Sequence, residues 1–176
     1  MGLRIDSGLL PLNSYENRVY QFHDEDKTKY VTKFYRPERW SKAQIQEEHD
    51  FALELAHEEL PVVAPLVINK QSVFEHKGYY FALFPCRGGR IFEVDNLDHL
   101  EWMGRFIGRI HAMSAKKPFQ QRLTMNCQEM LFDASAIIKQ SGFVPQSLEL
   151  AFFTVLDHVI KEAESFTALN LSLIHI

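Results

Sequence analysis

The chain has 176 residues, 46% of them hydrophobic and 24% charged, with a formal net charge of -4 and an isoelectric point near 6.1. This composition is typical of a globular protein with room for one domain or two small lobes, and the charge gives no reason to expect nucleic-acid binding. No stretch reaches the roughly 20 apolar residues of a membrane span. The two cysteines lack metal-ligand spacing, so a reduced, cytoplasmic setting is expected. The protein is taken to be a monomer.

The first third of the chain has the pattern of an antiparallel hairpin. Residues 18–22 and 29–35 are rich in β-branched and aromatic side chains, and a polar connector separates them. Strand alternation places Val31, Lys33 and Tyr35 on one face. Lys33 therefore has apolar neighbours, which leaves two interpretations. Its stem packs while the ammonium reaches water, or the ammonium has a partner inside the fold.

A helix is predicted from residue 41 to about residue 60, where Pro61 stops it. Ser41 and Gln44 have the spacing of a capping box. Helical periodicity places Glu48 on the core-facing stripe and Glu47 on a mostly acidic face. A lysine on a core-facing strand and a glutamate on the core-facing side of the next helix each need a counter-charge, so an ion pair between Lys33 and Glu48 is predicted.

The pattern changes from strands to helices near the middle of the chain. Residues 72–76 and 79–85 read as two strands joined by a Lys77-Gly78 turn. Residues 86–90, with two glycines, form a predicted joint. Beyond the joint, apolar residues recur at helical spacing from Leu97 and again from Leu148. A strand-rich half is therefore expected to precede a helical half.

Several segments carry a resemblance to a known family. The segments 12–22 and 33–40, the Glu47-Glu48-His49 run, and residues 84–85 with 88–90 resemble the bacterial stress response kinase A family of serine/threonine protein kinases. Residues 103–111 resemble a helix common to the wider aminoglycoside phosphotransferase and choline kinase superfamily. The resemblance covers residues 3 to about 169, nearly the whole chain.

The resemblance implies an α+β, protein-kinase-like two-lobe fold. Residues 1–87 would form an antiparallel-sheet N-terminal lobe that binds ATP, and residues 88–170 an incomplete helical C-terminal lobe. The family transfers the γ-phosphoryl group of ATP to serine or threonine of protein substrates and uses Mg²⁺. Carried over by position, the nucleotide-binding residues are Ser14, Lys33, Glu48, Phe84, Pro85 and Cys86.

Within that set the resemblance assigns each residue a role. Lys33 matches the phosphate-contacting lysine and Glu48 its helix partner, with Glu47 as a second register. Ser14 lies in the loop over the phosphates, where backbone amides would donate to phosphate oxygens. This loop lacks the glycines of a glycine-rich loop, and its other interpretation is an ordinary Asn/Ser turn. Residues 84–86 match the hinge that meets the adenine edge.

The family also implies a His-Gly-Asp-x-x-x-x-Asn loop and a later metal-binding aspartate, and this chain has neither. No catalytic residue and no metal ligand are therefore assigned, and the chain is expected to be inactive on its own. Residues 171–176 are interpreted as a non-native tail, the translation of a common sequencing adapter. Two other functions stay open: a small-molecule kinase acting on choline, homoserine or an aminoglycoside, and a non-catalytic nucleotide-binding or interaction fragment.

Overall fold

The computed structural model describes residues 3–89, 91–123 and 128–165. The chain divides into two compact units, Met1–Arg122 and Leu123–Ile176. The predicted tail at residues 171–176 and the last residue of the predicted joint, Arg90, lie outside the described residues. The lobe boundary predicted at residues 87 and 88 stays a prediction.

The first unit contains a five-stranded antiparallel sheet with the order β1-β2-β3-β5-β4. Its strands are β1 Leu10–Leu12, β2 Arg18–His23, β3 Lys29–Phe34, β4 Phe74–His76 and β5 Tyr79–Pro85. The four predicted strands are confirmed, whereas β1 was not predicted. The predicted Lys77-Gly78 turn is also confirmed: φ is 50° at Lys77 and 81° at Gly78, the positive values that a tight hairpin turn with matching twist requires.

One face of the sheet holds the core of the unit. Lys33 lies between Val19 and Ala82 in the strand register, which places the three side chains on the same face. A buried cluster of Tyr35, Ile45, Val73 and Ala82 forms there, with Trp40, Tyr80 and Phe84 packed against it. The opposite face carries a row of aromatic rings in contact, including Phe34 stacked on Phe81 with centroids 5.4 Å apart.

Helix α1, Lys42–His57, covers the core face of the sheet. The predicted capping box is present: the Gln44 amide donates to Ser41 Oγ at 3.2 Å, and the Ser41 amide donates to Gln44 Oε1 at 2.9 Å. The prediction of a helix to about residue 60 was wrong by one turn. Glu59 adopts φ 57°, and its amide and that of Leu60 donate to Ala56 and Leu55 carbonyls. This is a Schellman termination, which ends the helix before Pro61.

Helix α2, Leu97–Ser114, is the second helix of the first unit. The Asn96 side chain caps its start by accepting from the amides of Asp98 and His99. Only Ile110 of this helix is buried. Its predicted apolar stripe is therefore largely uncovered, with Leu97 78% and Leu100 47% exposed.

The described part of the second unit contains helices. A π-helical segment, Gln128–Asp133, leads into α3, Ala134–Ser141, and α4, Gln146–Ser165, follows after a short loop. Gly142 ends α3 in the left-handed conformation, with φ 63°. Helix α4 was predicted from the sequence, and the two shorter elements were not. Among the described residues, no helix combines the length and the apolar character that a bilayer crossing requires.

Candidate functional site: a lysine, a glutamate and a buried arginine

The site is centred on an ion pair between strand β3 and helix α1. Lys33 Nζ lies 3.4 Å from Glu48 Oε1, and the two side chains are 25% and 24% exposed. The ammonium also lies 4.6 Å from the centre of the Tyr35 ring, within range of a cation–π contact. The predicted ion pair is confirmed, and Glu48 rather than Glu47 is the partner. The partly exposed ammonium keeps donor capacity for a further anion.

Packing beside Glu48 sets the position of α1. Ile45 and His49, on the same side of the helix, are 0% and 1% exposed, and both face the sheet surface that carries Lys33. The Tyr35 hydroxyl lies 2.7 Å from His49 Nε2, and Ser72 Oγ lies 2.9 Å from His49 Nδ1. Because these contacts fix α1 against β3, the Glu48 carboxylate is held within reach of the lysine.

The buried histidine is held in its neutral form. Burial lowers the pKa of His49 to about 4, although the charge of Glu48 acts in the opposite direction. Burial also raises the pKa of the Tyr35 hydroxyl well above its usual range, and Glu48 adds to that effect. Both rings next to the ion pair are therefore neutral at pH 7 and add no charge to it. The Glu48 carboxylate balances the charge of Lys33.

A second cation, Arg122, binds the same carboxylate. Its Nη1 lies 2.8 Å from Glu48 Oε2, and its side chain is 5% exposed. The guanidinium carbon lies 4.3 Å from the centre of the Trp40 ring. Arg122 was not predicted from the sequence because 74 positions separate it from Glu48, and neither helical nor strand periodicity relates residues that far apart. No local signal in the sequence marks it.

The neighbouring Glu47, the alternative helix partner of Lys33 that the resemblance allowed, has a different role. Its carboxylate accepts from the backbone amides of Gln120, Gln121 and Arg122 at 2.6, 2.8 and 2.8 Å. Burial opposes the charge, but these amides outweigh it and lower the pKa of Glu47. Glu47 thus anchors residues 120–122 to α1 and brings Arg122 to Glu48.

Ser14 lies in the loop between β1 and β2, and its side chain supports a local turn. Ser14 Oγ accepts from the Asn17 amide at 3.3 Å, which is the ordinary turn that the sequence left open. Ser14 also lines a groove of about 740 Å³ together with residues such as Arg18 and Lys77, and Lys33 does not line this groove. The predicted position of Ser14 over a phosphate bound at Lys33 stays a prediction.

The loop is nevertheless linked to the ion pair through side chains. Glu16 Oε1 accepts from Arg39 Nε at 2.9 Å and from Trp40 Nε1 at 3.0 Å. Trp40 in turn lies under the guanidinium of Arg122. A continuous series of contacts therefore runs from Glu16 through Trp40 and Arg122 to Glu48.

Of the predicted hinge residues, Phe84 and Pro85 end β5 and Cys86 follows it. The Phe84 ring meets the edge of the His49 ring with centroids 6.0 Å apart, on the same face of the sheet as Lys33. The Cys86 amide donates to the Lys29 carbonyl at 3.1 Å, so that amide is already used in the sheet. Adjacent residues of a strand direct their backbone groups to opposite sides. The Pro85 carbonyl therefore points away from β3.

The described residues hold no group of three or more His, Cys, Asp or Glu side chains arranged to bind a metal ion. The chemistry that they offer is the binding of an anion by a positioned lysine. A strand lysine held by a helix glutamate is the arrangement with which kinases hold nucleotide phosphates.

The chain is similar to several known proteins. A sequence model described as the phosphotransferase enzyme family matches residues 8–164. Stress response kinase A of Escherichia coli is 48% identical over 175 residues, which cover 97% of this chain and 53% of that protein. Serine/threonine protein kinase RdoA of Salmonella typhimurium is 50% identical over 160 residues, which cover 91% and 49%. The chain thus spans about half the length of the curated relatives it matches.

Two solved structures share the fold. An amicoumacin kinase, hAmiN, in complex with AMP-PNP, Ca²⁺ and Ami, has a TM-score of 0.68 at 20% identity, covering 93% of this chain and 49% of that one. A microcompartment-associated aminopropanol kinase has a TM-score of 0.55 at 21% identity, covering 73% and 42%. Together with the antiparallel sheet and the helices, these similarities confirm the predicted α+β, kinase-like fold class.

Proposed function

The chain belongs to the phosphotransferase enzyme family, and from this premise we propose that it forms the nucleotide-binding part of an ATP-dependent serine/threonine protein kinase. The observation that carries the proposal is the 3.4 Å contact between Lys33 on β3 and Glu48 on α1. In kinases such a lysine binds the nucleotide phosphates and the glutamate holds it in place.

The residues of the site fit a nucleoside triphosphate. The Lys33 ammonium is partly exposed beside Glu48 and Tyr35, so it can donate to phosphate oxygens while it keeps its carboxylate partner. The Pro85 carbonyl would accept from the adenine amino group. Ser14 and its loop would close over the phosphates if the loop moves from the turn that Asn17 holds. Bound ATP would supply the γ-phosphoryl group that is transferred.

Magnesium enters the proposal as a cofactor of the reaction only. The described residues lack a cluster that fits Mg²⁺, so no step at the metal is assigned to them. The part played by Lys33 and Glu48 is to bind and orient the phosphates, which is the main protein contribution to phosphoryl transfer.

Protein serine and threonine are the proposed acceptors because the chain is 50% identical to a protein named as a serine/threonine protein kinase. A small-molecule acceptor is the second candidate. The two solved structures that share the fold are named as kinases of amicoumacin and of aminopropanol. Fold alone does not decide between these acceptors, and sequence identity is the reason to rank the protein acceptor first.

A chimera tests the proposal. This chain would replace the matching residues of Escherichia coli stress response kinase A, so that the rest of the enzyme is constant and the contribution of this chain is measured. With radiolabelled ATP and a mixture of proteins, we expect label on serine and threonine. Lys33→Met in the chimera should abolish it, and the 176-residue chain alone should transfer none, because it lacks the Asp and Asn of the catalytic loop.

Two results would argue against this function. Labelling by the chimera that survives Lys33→Met would show that the lysine does not bind the phosphates. A chimera that binds ATP but labels only a small alcohol or amine, and no protein hydroxyl, would favour the small-molecule acceptor.

A further inference from the structure

We propose that Arg122 is a positioning residue of the nucleotide site: it orients Glu48, and through Glu48 it directs Lys33 to the phosphates. The inference rests on the proposed function, since it assumes that Lys33 binds phosphate. Arg122 itself is not a ligand of the nucleotide, because only 5% of its side chain is exposed.

The distances indicate which cation sets the orientation of the carboxylate. Arg122 Nη1 lies 2.8 Å from Glu48 Oε2, while Lys33 Nζ lies 3.4 Å from Glu48 Oε1. The shorter contact is a charge-assisted hydrogen bond of full strength, and the longer one is weaker. Glu48 is therefore held chiefly by Arg122. Lys33 is restrained by the second oxygen but is not fully engaged, which leaves its donors available for an anion.

The guanidinium can hold Glu48 because Arg122 is fixed both at its backbone and at its side chain. The Arg122 backbone amide donates to Glu47 Oε2 at 2.8 Å, and the guanidinium lies 4.3 Å from the centre of the Trp40 ring. A planar group stacked on an aromatic ring loses little further freedom when it forms a hydrogen bond. Without Arg122, the Glu48 carboxylate loses its shorter contact and keeps the 3.4 Å contact with Lys33, so the pair with Lys33 loosens.

The same contacts link the loop at residues 13–17 to the lysine. Glu16 accepts from the Trp40 indole N–H at 3.0 Å, and Trp40 supports Arg122. Arg122 therefore lies where the phosphate-loop candidate and the Lys33–Glu48 pair meet. Its removal should affect the binding of phosphates and leave the binding of adenine unchanged.

The test compares the dissociation constants of ATP and adenosine for the 176-residue chain, measured by calorimetry in EDTA. The ratio of the adenosine constant to the ATP constant reports the phosphate contribution alone. Arg122→Met is expected to lower this ratio about tenfold, as for the loss of a hydrogen bond to a charged group, and Arg122→Lys about threefold. Arg105→Met is the matched control, because Arg105 forms an exposed pair with Glu101 on α2 and should leave the ratio unchanged.

A double variant tests whether Arg122 acts through Glu48. Glu48→Gln should lower the ratio, and Arg122→Met added to it should lower the ratio no further. Additive losses would contradict the proposed route, and equal weakening of ATP and adenosine by Arg122→Met would indicate a purely structural role. If circular dichroism shows that Arg122→Met is unfolded, the ratio is measured for Arg122→Lys instead. A ratio for Arg122→Lys equal to that of the wild type would overturn the proposal.

The two proposals fail in different ways. A ratio that Lys33→Met does not change contradicts the nucleotide site itself and the role of Arg122 with it. A ratio that falls with Lys33→Met but not with Arg122→Met contradicts the role of Arg122 alone.

Discussion

Acidification from pH 7 to pH 4 is expected to lower the free energy of unfolding by about 3 kcal/mol through His49 alone. The imidazole is 1% exposed, and both of its nitrogens have partners, Tyr35 and Ser72. Burial lowers the pKa of His49 from 6.5 to about 4. Between these values the unfolded chain binds a proton that the folded chain does not. The contribution is therefore complete above pH 6.5 and is lost as the pH falls towards 4.

Urea unfolding at pH 7, 5.5 and 4, followed by circular dichroism, measures this dependence. His49→Gln removes the titrating group, so its unfolding free energy should change with pH by about 3 kcal/mol less than that of the wild type. His57→Gln is the control, because the His57 side chain is 87% exposed. Parallel pH profiles for the wild type and His49→Gln would show that the buried imidazole is not the group responsible.

Ile45→Ala is expected to lower the free energy of unfolding by about 2–5 kcal/mol. Ile45 is 0% exposed and belongs to the cluster with Tyr35, Val73 and Ala82 that joins α1 to the sheet. The loss is large against a typical total of about 5–15 kcal/mol. Because the cluster positions α1, the variant should also loosen the Lys33–Glu48 pair.

The same substitution at Ile91 is the control for Ile45→Ala. Ile91 is 89% exposed, and its replacement should change the unfolding free energy by no more than about 0.5 kcal/mol. Urea unfolding of both variants at pH 7 gives the comparison. Equal effects of the two substitutions would contradict the placement of Ile45 at the centre of the core.

The ion pair was predictable because each of its members breaks a local pattern. Lys33 stands on the apolar face of a strand, Glu48 on the apolar stripe of a helix, and pairing is the simplest answer to both. The Ser41 cap and the turn at Lys77 were predictable for a related reason, since their signals lie within a few residues. In each case the residues that carry the signal are close in sequence, so their spacing is enough to predict the feature.

Other features depend on contacts that sequence order does not reveal. Strand β1, Leu10–Leu12, is too short to show alternation, and its pairing with β2 defines it. The early end of α1 depends on the left-handed conformation of Glu59, which glutamate rarely adopts. Arg122 joins the site only through the fold of the first unit. The role of Ser14 stays a prediction, because its side chain is engaged in a local turn with the Asn17 amide.

The most direct test of the central claim is the affinity of the chain for ATP with and without Lys33. We expect Lys33→Met to weaken ATP binding at least about tenfold, as for the loss of a charge-assisted hydrogen bond, while adenosine binding stays unchanged. Lys70→Met, which removes an exposed loop lysine, should alter neither. Calorimetric titration of the three proteins decides. Equal ATP affinities for the wild type and Lys33→Met would contradict the assignment of the Lys33–Glu48 pair as a nucleotide-phosphate site.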